Sequence, residues 1–141
     1  MSMPPHTLVL VEDNDIDAEL VRRLVGRLGL ALRIVRARDG EDALELLCPE
    51  SGETEPLRPA AIVLDINMPR MNGFELLGEL ERIGGLDSVP VFMLSTSGTL
   101  RDRASAERHG VHGYLVKPLR APQLLEMFAS IAGPGEEMST A

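Results

Sequence analysis

Polar side chains that could bind a metal ion or take part in group transfer directly follow four short apolar runs of this sequence. They are Glu12 and Asp13 after run 8–11, Asp65 after run 61–64, Ser95 after run 91–94 and Lys117 after run 114–116. Such runs are typical of strands that are buried on both faces of a parallel sheet. Because ligands of these sheets bind at the carboxyl ends of the strands, we expect three carboxylates, a hydroxyl and an ammonium to converge there.

Three carboxylates in close proximity are expensive to ionise together, because like charges raise each other's pKa. A hard divalent cation such as Mg²⁺ relieves this repulsion, prefers oxygen ligands and keeps positions for water and phosphate oxygens. Phosphoryl transfer requires mainly alignment and charge neutralisation, which a carboxylate nucleophile, a metal, a lysine and a hydroxyl can supply. The sequence therefore predicts Mg²⁺ as cofactor and Asp65 as phosphoryl acceptor.

Strand and helix patterns alternate along the chain. The strands are predicted at 8–11, 32–36, 61–64, 91–94 and 113–116, and helices are predicted from apolar positions 20, 21, 24, 25 and 28, over 40–47, from positions 74, 76, 77, 80 and 83, over 100–109 and from positions 124, 125, 128, 131 and 132. Right-handed crossovers then place helices on both faces of the sheet. The predicted fold is α/β, a doubly wound five-stranded parallel sheet of (βα)₅ organisation.

The length of 141 residues fits one domain, predicted at 7–132, with tails at 1–6 and 133–141. Residues 49–59 lack either periodicity and are predicted to form a surface loop, whose role the sequence leaves open. Cys48 is the single cysteine and is expected to be a small core residue, while His6, His109 and His112 show no ligand spacing and are expected at the surface.

Charge and the amino terminus restrict the partners. The net charge of -8 argues against binding to nucleic acid or to anionic membranes, which both require an excess of Lys and Arg. The first residues lack the basic region of a signal peptide, and the following apolar run is too short to span a membrane. We therefore expect a cytoplasmic protein whose partners are other proteins.

Four segments carry a family resemblance when they are taken together. They are Val11-Glu12-Asp13-Asn14, Leu64 to Pro69 with Asn72-Gly73, Leu94-Ser95 and Gly113 to Pro118. With these segments the chain resembles the receiver domain of two-component response regulators, of the stand-alone kind typified by the chemotaxis regulator. The resemblance covers nearly the whole chain and implies a flavodoxin-like fold with strand order 2-1-3-4-5.

The resemblance also implies roles for the residues at the strand ends. Asp65 would accept a phosphoryl group from a sensor histidine kinase. Glu12, Asp13 and the backbone carbonyl of Asn67 would hold Mg²⁺ together with Asp65, directly or through water. Such a protein is a signalling phosphoacceptor that catalyses only its own phosphorylation and dephosphorylation.

Further residues are implied in phosphate binding and in the switch. Lys117 and Ser95 would bind phosphate oxygens, and the peptide bond before Pro118 would be cis. Ser95 would move toward the phosphate and let Tyr114 turn inward. The surface formed by the fourth helix, the fifth strand and the fifth helix would then change, which is how the signal would leave the domain.

One position departs from the family pattern, and one run indicates a subgroup. Thr96 stands where relatives usually have Ala or Gly, and its stiff β-branch should narrow access to the phosphate. Asn67, Thr96 and Ser97 are thus candidate tuning residues. The 95–97 run and the 49–59 loop resemble the single-domain regulators that partner bacterial phytochromes. Because such regulators often pair through the surface described above, a homodimer is a further expectation.

Taken singly, each candidate residue has an ordinary structural explanation. Glu12 and Asp13 suit a helix start, Asp65 a turn, and Lys117 a solvated surface position. Two other functions stay open. A small phosphatase could use an aspartyl phosphate, although such enzymes need a second acid where this chain has Asn67. A scaffold could keep the fold without the chemistry. The cognate kinase, the downstream protein and the phosphate lifetime are not indicated by the sequence.

Overall fold

The computed structural model describes residues 6–132 except 51, 53, 85–87 and 97. Five strands alternate with five helices along the chain. The strands are β1 (His6–Val11), β2 (Leu32–Ala37), β3 (Ala61–Asp65), β4 (Val91–Ser95) and β5 (Gly113–Val116), and the helices are α1 (Asp15–Leu28), α2 (Gly40–Leu47), α3 (Gly73–Ile83), α4 (Leu100–Arg108) and α5 (Ala121–Ala132). The predicted alternation is confirmed. The tails predicted at 1–6 and 133–141 lie outside the described residues, except for His6, which belongs to β1.

All neighbouring strands are parallel, and their order in the sheet is β2-β1-β3-β4-β5. The predicted doubly wound fold is therefore confirmed. The register pairs Asp65 of β3 with Leu94 and Ser95 of β4 with Val116. Parallel pairing in this register brings the carboxyl ends of β3, β4 and β5 to one edge of the sheet.

The alternation of side chains along the strands divides the core into two parts. Leu8 and Leu10 of β1 face a cluster that includes α1 and α5, whereas Val9 and Val11 face a cluster that includes α2, α3 and α4. These four side chains are fully buried. Each such side chain contributes about 1.5–3 kcal/mol by its removal from water, so β1 anchors the sheet beneath the candidate site.

Two of the apolar positions that predicted the helices are exposed in the structure. Leu20 is 51% exposed because it lies beside, and not within, the buried stripe of α1 that contains Val21 and Val25. Ile83 is 46% exposed because it ends α3, beyond the last buried leucine, Leu80. Apolar periodicity therefore located both helices correctly but overestimated the width of their buried faces.

The remaining small differences concern isolated residues. His109 and His112 are exposed as expected, but His6 is half-buried and packs edge-to-face against Phe128 at 6.3 Å between ring centroids. Cys48 is half-buried and free, not fully in the core. Most described residues of the 49–59 loop are exposed, but Pro59 is buried.

Within the described part of the chain, no helix has the length and apolar character required to cross a bilayer.

Candidate functional site

The turn between β1 and α1 turns one acid inward and leaves the next one exposed. Glu12 is fully buried, and its Oε2 accepts a hydrogen bond from the Asn14 backbone N–H at 3.2 Å. Asp13 is exposed. Asn14 caps α1, since its side chain accepts from the backbone N–H of Asp17 at 3.0 Å. The cap fixes where the helix begins and hence where both acids lie.

Asp65 ends β3 and is 2% exposed. Its Oδ1 accepts a hydrogen bond from the Asn67 backbone N–H at 2.9 Å, which orients the carboxylate. The start of α3 packs closely against this strand end: a Cβ at Gly73 would lie 2.7 Å from the Asp65 carbonyl oxygen. Glycine is therefore required at this position, since any side chain would displace the backbone that carries Asp65.

Lys117, which follows β5, joins the acids. Its Nζ lies 2.7 Å from Glu12 Oε1, 2.9 Å from Asp17 Oδ2 and 3.1 Å from Asp65 Oδ2, and its side chain is 13% exposed. The Lys117 backbone N–H also donates to the Ser95 carbonyl at 2.7 Å, which fixes the chain beside β4. The predicted cis peptide bond before Pro118 is confirmed. Lys117 is the only lysine in the sequence.

Burial and mutual repulsion govern the ionisation of this cluster. Burial, with a hydrogen bond to the Asp65 side chain, raises the pKa of Glu12 to about 7 despite the opposing effect of Lys117. Burial lowers the pKa of Lys117, but hydrogen bonds to Glu12, Asp17 and Asp65 outweigh it and leave that pKa raised. One stable ammonium thus faces more negative charge than it can neutralise, which favours a further cation.

The donor set fits that cation. Carboxylate oxygens of Glu12, Asp13 and Asp65 lie within 4.8 Å of one another. These hard oxygen ligands, one of them exposed and two buried, suit Mg²⁺, which takes few protein carboxylates and keeps water and phosphate oxygens in its other positions. The residues present therefore fit the predicted metal.

Ser95 and Asn67 extend the site along the sheet edge. Ser95 is fully buried at the end of β4, and its Oγ accepts a hydrogen bond from Asn67 Nδ2 at 3.3 Å. Asn67 and Thr96 are exposed at the mouth of the site. Ser97 lies outside the described residues. A buried hydroxyl thus lies next to the acids, connected to them through Asn67.

Tyr114 lies on β5, on the same side of the sheet as α4, and is half-buried. The guanidinium carbon of Arg103, on α4, lies 4.9 Å from the centroid of the tyrosine ring, which is the geometry of a cation–π contact. The contact connects the tyrosine side chain to α4, the helix that follows β4 and Ser95 in the sequence.

Two residues of the site were not predicted. Asp17 binds Lys117 across 100 positions of sequence, and its place in the first turn of the helix that follows Glu12 and Asp13 could have indicated that it lies near them. Arg36, near the end of β2, donates from Nε to the Glu12 carbonyl at 2.9 Å and from Nη1 to Asp15 Oδ1 at 2.6 Å. Arg36 therefore anchors the turn that carries the acids, and only the strand order brings it there.

Comparison with known proteins agrees with this fold. The model of the response regulator receiver domain family matches residues 8–129. The chain therefore belongs to the receiver domain family of response regulators.

Three relatives illustrate the range of the family. The chain is 38% identical over 115 residues to the probable methanogenesis regulatory protein FilR2 of Methanothrix harundinacea, covering 82% of this chain and 74% of that protein. It is 31% identical over 130 residues to response regulator Rcp1 of Synechocystis, covering 92% and 88%. The solved Mn²⁺-bound form of Rcp1 aligns with TM-score 0.74 at 28% identity, covering 97% of each chain. The bacteriophytochrome response regulator RtBRR aligns with TM-score 0.80 at 31% identity, covering 96% and 82%.

Proposed function

We propose that Asp65 is the residue that accepts a phosphoryl group from a histidine of a sensor kinase. Receiver domains accept phosphate from histidine kinases. One observation supports the assignment above all: Asp65 is held between a buried ammonium and two further acids. The Mg²⁺ ligands are Glu12, Asp13, Asp65 and the backbone carbonyl of Asn67. The Mn²⁺-bound form of the relative Rcp1 supports a divalent metal in such a cluster.

In the transfer, one carboxylate oxygen of Asp65 attacks the phosphorus atom. A phosphorus–oxygen bond forms while the phosphorus–nitrogen bond breaks, and the imidazole nitrogen keeps the electron pair. When bound, Mg²⁺ neutralises negative charge on the transferred group. The Asn67 N–H holds the other carboxylate oxygen, and Lys117 and the Ser95 hydroxyl donate to phosphoryl oxygens. In dephosphorylation, a water oxygen attacks the phosphorus, the bond between phosphorus and the Asp65 oxygen breaks, and inorganic phosphate leaves while Asp65 is restored as a carboxylate. These are the only reactions we assign.

The phosphoryl group then acts through the side chains beside it. It adds about -1.5 to -2 charges and strong acceptor oxygens. Ser95 moves toward these oxygens, Tyr114 turns into the space that becomes available, and the surface formed by α4, β5 and α5 changes. Two facts support this switch: α4 begins five positions after Ser95 in the sequence, and Arg103 of α4 contacts the ring of Tyr114. Thr96, Asn67 and Ser97 tune access to the site.

The partners follow from the same proposal. The kinase is of the bacterial phytochrome type, which the likeness to the bacteriophytochrome response regulator RtBRR supports. The relative FilR2 is named for the regulation of methanogenesis and does not support this choice of kinase. The changed surface is read by another protein or by a second copy of this chain, as a homodimer through α4, β5 and α5. The protein acts in the cytoplasm through its domain at 7–132, without nucleic acid or membrane contact, consistent with the net charge of -8.

Label transfer from phosphorylated kinases tests the assignment. With Mg²⁺, a phytochrome kinase should label the wild-type protein faster than unrelated histidine kinases do. Asp65→Asn should abolish labelling, whereas Glu45→Gln, an exposed acid on α2, should not change it. Retained labelling in the Asp65 variant would move the acceptor elsewhere.

Size-exclusion chromatography with light scattering, with and without beryllofluoride, tests the proposed homodimer. A monomeric mass under both conditions would exclude it.

A further inference from the structure

Lys117 has as many acid partners as it has protons to donate. An ammonium group carries three N–H donors. Its Nζ donates to Asp17 Oδ2 at 2.9 Å and to Asp65 Oδ2 at 3.1 Å, and it pairs with the charge of Glu12 Oε1 at 2.7 Å. A phosphoryl group on Asp65 therefore meets a lysine whose hydrogen bonds and charge are already committed. Any change in these commitments changes how strongly Lys117 attracts the incoming anion.

The three acceptors differ in their access to water. The side chains of Glu12 and Asp65 are 1% and 3% exposed, whereas that of Asp17 is 35% exposed. Asp17 and Lys117 also line a cavity of about 210 Å³ beside α1. A buried carboxylate that loses its donor is left unsatisfied at high cost, whereas water can replace the donor of Asp17. Asp17 is therefore the acceptor that Lys117 exchanges most easily.

The position of Asp17 on α1 accounts for the presence of an acid there, but not for its contact with Lys117. Its backbone N–H is bound by the Asn14 side chain, and an acid in the first turn is favoured by the helix dipole. The side chain reaches across to a lysine 100 residues away, and it adds a fourth carboxylate to the site.

We propose that Asp17 is a positioning residue that competes with the phosphoryl group for Lys117. It keeps the ammonium partly neutralised and directed toward α1, so the site binds a tetrahedral anion less tightly than it would without Asp17. This inference rests on the proposed function, because it concerns how the same site holds phosphate. Its consequence is that Lys117 binds the phosphoryl group on Asp65 more weakly. This effect depends on one partly exposed acid, which can be changed without altering the metal ligands.

Beryllofluoride affinity in the presence of Mg²⁺ tests the competition. By calorimetry, Asp17→Asn should bind beryllofluoride about two- to fivefold more tightly than wild type, the range expected from removing a partly exposed ion pair. Asp17→Glu, which keeps the charge, should return toward the wild-type value. Glu19→Gln is the matched control, because Glu19 is an exposed acid on the same helix and forms an ion pair with Arg23 at 3.3 Å. Equal or weaker binding by Asp17→Asn would overturn the inference.

The single lysine allows a second measurement that needs neither metal nor anion. Protein labelled with ¹⁵N at the lysine side chain should give one ammonium resonance, that of Lys117. In Asp17→Asn this resonance should shift and its protons should exchange faster with water, and Asp17→Glu should reverse both changes. An unchanged resonance would show that Asp17 does not hold Lys117. If the wild-type protein does not bind beryllofluoride at all, the proposed function fails and the competition fails with it, whereas wild-type binding with no effect of Asp17→Asn removes only the competition.

Discussion

The helices α3 and α4 both pack against the same side of the sheet, yet they are held very differently. Helix α3 buries four residues, three of them leucines, and its start is locked against the end of β3 at Gly73. Helix α4 buries only Ala106 among its residues 100–108. Segments with few buried apolar contacts open or shift at low free-energy cost. The acid cluster therefore rests on firmly packed elements, while the surface proposed to carry the signal lies on a loosely packed one.

The largest effect on stability should come from removing the Lys117 ammonium, which lies among the acids of the firmly packed region. Lys117→Ala leaves the buried carboxylates of Glu12 and Asp65 without their ammonium, so we expect a loss of about 3–5 kcal/mol in the free energy of unfolding. Urea unfolding without metal measures this loss, and added Mg²⁺ should recover part of it. A loss below about 1 kcal/mol would show that the ion cluster is not a tightly coupled unit.

A pair of leucine substitutions compares the two helices directly. Leu76→Ala on α3 removes a fully buried side chain and should cost about 2–5 kcal/mol of stability. Leu100→Ala on α4 removes a side chain that is 86% exposed and should change stability by less than about 0.5 kcal/mol. Denaturant unfolding at equal protein concentration gives both values. Similar costs for the two variants would contradict the difference in packing.

The stability of the metal-free protein should depend on pH through Glu12. The pKa of Glu12 is raised from 4.5 to about 7 in the folded state, so the unfolded chain releases this proton first. The free energy of unfolding should therefore fall as the pH rises from about 4.5 to about 7, and then level off. Mg²⁺ affinity should rise over the upper part of this range, because the metal requires the ionised carboxylate.

The control for this titration is Glu12→Gln, which should remove the decline in metal-free stability. Chemical unfolding at several pH values, read against the same series for the variant, isolates the contribution of this one group. Parallel curves for the two proteins would contradict the assignment of the raised pKa to Glu12.

A smaller effect on stability is expected from Arg36, which anchors the turn that carries Glu12 and Asp13. Arg36→Met keeps the length of the side chain but removes the hydrogen bond to the Glu12 carbonyl, and should cost about 1–3 kcal/mol. Asp15→Asn should cost less, because Asp15 is exposed and the carbonyl contact survives. Thermal unfolding of both variants ranks them. The opposite order would place the anchoring function in the surface ion pair.

The smallest effect concerns the mouth of the site. Thr96 is exposed and directly follows Ser95 in the sequence, and its β-branched side chain should slow transfer from small phosphodonors. Thr96→Ala should therefore be labelled faster by acetyl phosphate with unchanged stability. A rate equal to that of wild type would remove Thr96 from the tuning residues.

Much of the fold and part of the site could be predicted from the sequence, for identifiable reasons. The apolar runs that end in Glu12, Asp65 and Lys117 are local patterns, and parallel strands bring their ends together whatever the details of packing. The contacts of Asp17 and Arg36 depend on tertiary distances between segments, which no local pattern encodes. The exposure of Leu20 was missed for a related reason, since periodicity gives the direction of a face but not its width.

The most direct test of the central claim is to locate the phosphoryl group itself. After transfer from a phosphorylated histidine kinase in the presence of Mg²⁺, reduction with borohydride converts an aspartyl phosphate into homoserine, which mass spectrometry can assign to a position. The account predicts homoserine at position 65 and nowhere else. Modification at Asp13 or at any other acid, or transfer that leaves residue 65 unchanged, would contradict it.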